Sequence, residues 1–458
     1  MRDVRLILPN MNRPQPTVSH GRGIYLYDTE GKRYLDGCSG AVVANLGHGL
    51  PEVVQVMAEQ AAKLSFSYRM QFVNEPALRL AEAISAFAPG DLNYSFFVNS
   101  GSEATELAMK LSQQYWVEKG KPQKKWIVSR WTSYHGSTMG ALSMTGNVGR
   151  RRNYSTMLHQ YPGTSPPYCY HCPVEKSYPE CGLFCARELE TVLHRQGPDN
   201  VAAFIAEPMI GASGAAISPP PDYFKVIREV CDRNQILLIA DEVMTGFGRT
   251  GRNFGIEHWG VIPDIIAFGK GVSSGYTPLA GAVVREPVYR AFQEGSGTFT
   301  MGHTYSGNPL SCAVGHRVLT YIREHDLVQR AADLGEVLGR GLGELAGRHP
   351  VIGDVRGKGL FWGLELVAEQ ATRRPYPFEA NVAGKLVERA FGAGLLIYPS
   401  RGALDGVAAD AVIVAPPLTS SPAELDELLQ LLDRALTDLE TEVKALRKSS
   451  GTEGGVGR

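Results

Sequence analysis

The chain has 458 residues, with 46 Lys and Arg against 47 Asp and Glu (net charge −1) and 43% hydrophobic residues. That balance buries a sizeable core and excludes collagen, coiled-coil and disordered chains, together with a broad basic footprint for nucleic acid or an anionic membrane. Length alone suggests roughly three domain units. Glycine is the outlier: 51 residues, about 11%, against an average near 7%. An excess without a repeat implies tight turns and close backbone approaches, as phosphate-binding α/β enzymes need.

The opening MRDVRLILPNMNRP has no signal-peptide core, and no window holds 18 consecutive apolar residues, so a soluble, cytoplasmic protein is expected. Seven cysteines (Cys38, Cys169, Cys172, Cys181, Cys185, Cys231 and Cys312), an odd number, fit a reducing compartment and mostly free thiols. GIYLYDTEGKRYLDGCSG (23–40) alternates around Glu30-Gly31 and predicts a hairpin. From about residue 50, helical patterns alternate with short apolar strands, predicted at Ser95–Val98, Trp126–Ser129, Ala202–Ala206, Ile236–Ala240, Ile265–Phe268 and Ala280–Val284. Several are too uniformly apolar to have a wet face, so a mostly parallel sheet covered by helices on both sides is expected. After about residue 310 the texture changes: a helix over 310–325, an amphipathic helix, the strand-like GLFWGLELV, another helix and a closing helix over 423–446. This predicts a smaller α+β domain, with the N-terminal hairpin packed against it. The last residues, KSSGTEGGVGR, predict a disordered tail. No internal repeat is present.

Three places carry chemistry. FFVNSGSEATELAMKL (96–111) reads as strand, turn and helix, with free N–H groups, Gly101 and the Ser102 hydroxyl at the helix start: an anion cradle, or an ordinary capped turn. Asp241 ends the strand ILLIAD, where ligands of open α/β sheets sit; a carboxylate there is a metal ligand, a cap, or the partner of a protonated ring nitrogen. Lys270 leaves another apolar strand between Gly269 and Gly271 in DIIAFGKGVSSG. Burial favours its neutral, nucleophilic amine; no P-loop pattern precedes it to make it a phosphate-binding Lys. Together they call for an aldehyde cofactor with a phosphate and a pyridine ring, as in pyridoxal phosphate.

At these residues the chain resembles the class III pyridoxal-phosphate-dependent aminotransferases (the ornithine, 4-aminobutyrate and amine:pyruvate group). The resemblance covers roughly residues 20–440 and rests on NSGSEATE (99–106), SYHGST (133–138), AEPMIG (206–211), ADEVMTGFGRTG (240–251), FGKG (268–271), HTYSGNP (303–309) and VRGKGLFWGLEL (355–366). It implies fold type I: an N-terminal segment (1–60) packed with the small domain, a large cofactor domain (61–309) with a seven-stranded mostly parallel sheet, a small C-terminal domain (310–446) and a tail (447–458). It also implies pyridoxal 5'-phosphate bound covalently to Lys270, which then moves the proton between substrate and cofactor carbons. Asp241 would pair with the pyridinium nitrogen, Tyr134 and Val243 would cover the two ring faces, and Gly101 and Ser102 would hold the phosphate. Glu207 would lie near the 3'-hydroxyl side, or else cap the chain before Pro208, and His135 would be a structural neighbour. Thr304 would serve the neighbouring subunit's phosphate site, implying a homodimer with shared active sites, or dimers paired into tetramers.

Substrate choice is less specified. Where relatives acting on α-amino acids place a carboxylate-binding Arg before the APPL run, this chain has Ile413 in AVIVAPPL (411–418). The missing clamp favours an amine or ω-amino acid donor. Arg401, in YPSRGALDG, is the candidate for the keto acid's carboxylate, with a solvated Arg as the alternative and Arg69 as a second candidate. Ala41, Val42, Phe66, Tyr68 and Phe72 are expected in the pocket wall. A C-x2-C-x8-C-x3-C run (Cys169, Cys172, Cys181, Cys185), with His171, is read as a structural metal site, disulfides or reduced thiols. The expected reaction is ping-pong transfer of an amino group from an amine or ω-amino acid to a keto acid such as pyruvate, through pyridoxamine phosphate. A decarboxylating or epimerising relative is the alternative within the fold, and a non-catalytic ligand sensor the alternative outside it.

Overall fold

A computed structural model of the chain describes residues 5–8, 10–12 and 15–449. Three short strands, β1 (Val18–Arg22), β2 (Tyr25–Asp28) and β3 (Arg33–Asp36), pair antiparallel in sequence, and Glu30-Gly31 turns the chain between the last two. The large sheet follows: β4 (Leu92–Val98), β5 (Trp126–Arg130), β6 (Gly163–Thr164), β7 (Val201–Ala206), β8 (Leu237–Asp241), β9 (Ile265–Phe268) and β10 (Ala280–Arg285). Their spatial order is β4-β10-β9-β8-β7-β5-β6. Only β10 opposes its neighbours; the other pairings are parallel.

The apolar strands are dry because alternate residues feed two cores. Ile205, Leu237, Ile239 and Ala267 pack with Leu107 and Leu111 of the helix Gly101–Glu118. Their neighbours Phe204, Leu238, Ala240 and Ile266 pack with Phe224 and Ile227 of the helix Tyr223–Arg233. The six predicted strands coincide with observed ones to within three residues. The two-residue edge strand β6 has no apolar run to announce it.

Beyond the helices Pro309–Glu324 and Leu327–Arg348 lie β11 (Ile352–Lys358), β12 (Phe361–Glu369), β13 (Arg374–Pro375), β14 (Leu395–Leu396), β15 (Tyr398–Leu404) and β16 (Ala408–Val414). An antiparallel sheet runs β11-β12-β16-β15, with β13 against β12. β14 instead pairs parallel with β3, matching Leu395 to Leu35 and Leu396 to Asp36. The closing helix spans Pro422–Ser449, so the first residues of the expected tail are helical; no Gly or Pro interrupts the helix before Gly451. The rest of that tail lies outside the described residues. None of the described helices is long and apolar enough to cross a membrane.

Arg249, in the turn after β8, ties these parts together. Fully buried, it donates from Nη1 to the carbonyls of Leu360 (3.0 Å) and Pro416 (2.6 Å), and from Nη2 to Ser39 Oγ (3.1 Å) and Asn45 Oδ1 (2.7 Å). Burial lowers its pKa to about 9, against the opposing pull of Asp36. Arg249→Met keeps the bulk but strands these buried acceptors, and should cost about 3 kcal/mol or more in denaturant unfolding. A loss under about 1 kcal/mol would mean that the junction holds without the guanidinium.

Candidate active site

Polar residues gather where the dry strands end, the position at which open α/β sheets receive ligands. Glu207 follows β7, Asp241 ends β8, Lys270 stands two residues after β9, Gly101 and Ser102 follow β4, and Tyr134 and His135 follow β5. These residues, Val243 and Gly136 line one cavity of about 140 Å3, joined by Ala212 and Met244, which sequence reading did not assign to the pocket.

Asp241 Oδ2 accepts a hydrogen bond from His135 Nδ1 at 2.7 Å, and Oδ1 accepts from Val243 N at 3.1 Å. His135 is itself pinned: its N–H donates to Thr145 Oγ1 (2.9 Å) and its carbonyl accepts from Thr105 Oγ1 (2.7 Å). Its Nε2 is buried with no partner among the described residues. Lys270 adopts φ +45° and donates from Nζ to the carbonyl of Ala41 at 2.9 Å. Burial lowers its pKa to about 8; Asp241 and Glu207 oppose the shift, while Arg150 and Arg249 add to it. Glu207 ties two loops, accepting from Tyr134 N at Oε1 (2.9 Å) and Gly211 N at Oε2 (2.8 Å). Burial raises its pKa, and the cavity and tying positions are both occupied by this one carboxyl group.

At the start of the helix Gly101–Glu118, Ser100 Oγ caps Glu103 N, which leaves the N–H groups of Gly101 and Ser102 without an acceptor among the described residues. A Cβ on Gly101 would come within 2.7 Å of Val243 Cγ1. One on Gly136, at φ +135°, would come within 2.7 Å of Ser102 Cα, so only glycine lets these loops close. A neutral-leaning amine, a fixed carboxyl group and open N–H groups around one cavity fit the aldehyde, ring nitrogen and phosphate of pyridoxal phosphate.

Other expected residues lie elsewhere. Thr304 is exposed and does not line this cavity. Ala41 meets the site through its carbonyl, but Val42 is not a pocket wall: its branched apolar side chain is 1% exposed and belongs to the core. Phe66, Tyr68 and Phe72 are exposed on the same stretch as Arg69, whose guanidinium lies 4.6 Å over the Phe96 ring. Ile413 is buried in β16.

Arg401 is a correction. It belongs to β15 rather than a loop, and the β15–β16 register sets it opposite Asp410, which it meets at 2.7 Å from Nε. It also donates to the Phe378 carbonyl and lies over that ring, so its charge is spent within the small sheet. Sequence reading missed Arg150, whose guanidinium lies 4.4 Å over Tyr134; inside Arg150-Arg151-Arg152 it resembles a solvated run.

The four clustered thiols, Cys169, Cys172, Cys181 and Cys185, line one small cavity and are free. His171 is engaged elsewhere, with Nε2 2.9 Å from Glu365 Oε1. Among the described residues no group of three or more His, Cys, Asp or Glu is arranged to hold a metal.

The Lys270 environment has a direct readout. In cofactor-free protein, acylation of Lys270 by a small activated ester should rise with pH to a midpoint near 8, well below the ordinary lysine value of about 10.4. Asp241→Asn removes a charge that favours the ammonium form, so the midpoint should fall further. A midpoint above about 10 would contradict this environment.

The chain matches the family Aminotransferase class-III over residues 9–436. It is 45% identical over 441 residues to the uncharacterized aminotransferase YodT of Bacillus subtilis, covering 96% of this chain and 99% of the relative. With the putrescine–pyruvate aminotransferase of Pseudomonas aeruginosa it shares 36% identity over 430 residues, 93% of this chain and 92% of that enzyme. An amine transaminase from an uncultivated Pseudomonas species, solved in its pyridoxal-phosphate-bound form, superposes with a TM-score of 0.90 at 34% identity, covering 95% of this chain and 99% of the other. The chain therefore belongs to the class III aminotransferases, and is a fold type I, pyridoxal-phosphate-dependent transaminase that moves an amino group to a keto acid.

Proposed function

We propose that this transaminase takes its amino group from an amine or ω-amino acid and delivers it to pyruvate or a similar small keto acid in two alternating half-reactions. The observation that carries the site assignment is the single cavity bringing Lys270, Asp241, His135, Tyr134 and Ser102 together. The donor class is supported by Ile413, a buried apolar residue where an α-carboxylate clamp would stand, and by the likeness to a putrescine–pyruvate aminotransferase.

Bound in the cavity, pyridoxal phosphate supplies an electrophilic aldehyde and a ring that accepts electrons. Lys270 Nζ would hold the aldehyde, and its amine would be the group that carries a proton to and from the amine-bearing carbon of the substrate. Asp241, oriented by His135, holds the ring nitrogen's proton. Tyr134 and Val243 would bound the ring, and Glu207 fixes the Tyr134 backbone. Gly101 and Ser102 receive the phosphate.

Thr304 completes the phosphate site of a second copy in a homodimer. Supporting this pairing, the exposed stretch Phe66, Tyr68, Met70, Phe72 and Val73 forms an apolar surface, with Phe66 edge-on to Tyr305 beside Thr304. The seven free cysteines support a reducing, cytoplasmic setting.

The purified holoenzyme should lose its yellow colour when a good amine donor is added and regain it with pyruvate. Lys270→Ala should fall at least about 1,000-fold in kcat, and Asp241→Asn about 100-fold or more. Repeated turnover by Lys270→Ala would refute the assignment. Carbon dioxide release in place of keto-acid-dependent transfer would point to a decarboxylating relative.

A further inference from the structure

A keto acid brings a carboxylate to this cavity, and most arginines around it are already committed. Arg401 is held by Asp410 and Phe378. Arg249 has four acceptors, and Arg356 is gripped by Asp354 and Glu365. Arg130 is fully buried and donates from Nη2 to the Glu207 carbonyl; its Nε and Nη1 have no partner among the described residues, but it does not line the cavity. Arg69 is also stacked on a ring and donates to Met301, but that ring is Phe96, which does not line the cavity.

Arg150 differs in where it lies. It is exposed, and among the described residues it meets no carboxylate. Its guanidinium lies 4.4 Å over the ring of Tyr134, a cavity-lining residue, and its side-chain hydrogen bond is a long one, 3.3 Å from Nη2 to Tyr398 Oη. The backbone beneath it is fixed: Asn147 Oδ1 accepts from Arg150 N at 3.1 Å, and a Cβ on Gly406 would come within 2.6 Å of Val148 Cβ, so this turn leans on the β15–β16 hairpin. The charge is also felt inside the cavity, where it disfavours the protonated form of Lys270. A guanidinium laid on an aromatic face keeps its in-plane N–H groups free, and two of them match the two oxygens of a carboxylate.

We propose that Arg150 receives the carboxylate of the keto-acid substrate at the mouth of the cavity, with the Tyr398 hydroxyl as a second donor. The proposal rests on the amine-to-keto-acid reading above and names the residue that recognises the acceptor. A donor without a carboxylate makes no demand on Arg150, so one pocket accommodates both halves of the reaction.

The test compares the two half-reactions of the holoenzyme separately, with butylamine as donor and pyruvate as acceptor. For Arg150→Gln, the ratio of the second-order rate constants, pyruvate over butylamine, should fall roughly 10- to 100-fold, the range expected for losing a charged hydrogen-bonded pair. The loss should appear chiefly in KM for pyruvate. Arg150→Lys should recover part of it, and Arg401→Gln should leave the ratio unaltered. Equal losses in both half-reactions, or none, would overturn the proposal. Propionate titrated against the visible band of the resting holoenzyme provides a second readout: binding should weaken by the same factor in Arg150→Gln, and unchanged binding would overturn the proposal. Failure of the unsubstituted enzyme to run butylamine against pyruvate would count against the donor and acceptor classes, while the propionate titration would still judge Arg150.

Discussion

A carboxyl group at the end of a buried strand needs hydrogen-bond partners, and Asp241 has His135 Nδ1 on one oxygen and Val243 N on the other. The first of these contacts reaches well beyond the pair. His135 is anchored through Thr105, on the helix whose N-terminus carries Gly101 and Ser102, and through Thr145, at the end of the helix Met139–Met144. Tyr134 is its immediate neighbour in the chain. The carboxyl group, the turn at Gly101 and Ser102 and the Tyr134 ring are therefore placed by one set of bonds, and displacing any of them strains the others. Geometry of this kind costs no rearrangement when a ligand arrives.

The surrounding fold applies the same economy at larger scale. The dry central strands β7, β8 and β9 leave their polar chemistry at their ends, because a polar side chain further down would be buried between two apolar cores. Arg249 then locks the turn after β8 to the N-terminal segment and to the small sheet. Lys270 depends on that junction too, since Ala41, the residue whose carbonyl holds its amine, lies on the segment that Arg249 anchors through Ser39 and Asn45.

Much of this was legible in the sequence. Lys270 and Asp241 stand out because unbroken apolar strands end abruptly in charge, and Gly101 and Gly136 because close loop contacts demand them. What escaped was set by tertiary register. Nothing local in YPSRGALDG reveals that Arg401 faces Asp410 across a hairpin, since two strands separated by a short turn must first be recognised as paired. Val42 was misplaced for a related reason: an apolar residue beside a site is indistinguishable in sequence from one beneath it. Arg150 was hidden by composition, its arginine neighbours making a side chain laid on the Tyr134 ring look like part of a solvated run. The His135–Asp241 bond joins residues 106 positions apart and has no local signature at all.

The pairing of β3 with β14 has a consequence for how the molecule is made. The outer edge of β3 finds its partner only at Leu395 and Leu396, some 360 residues later. Until nearly the whole chain has left the ribosome, the first sheet lacks its fourth strand and Arg249 lacks the Pro416 carbonyl. The large sheet can assemble during synthesis and hold the N-terminal segment bearing Ala41 through Arg249 and Ser274, whereas that segment gains its ties to the small sheet only near the end of translation. A chain truncated in the small sheet would therefore carry Lys270 with only part of the frame that positions it, because the segment bearing Ala41 would lack its ties to β14 and to the Ala415 carbonyl.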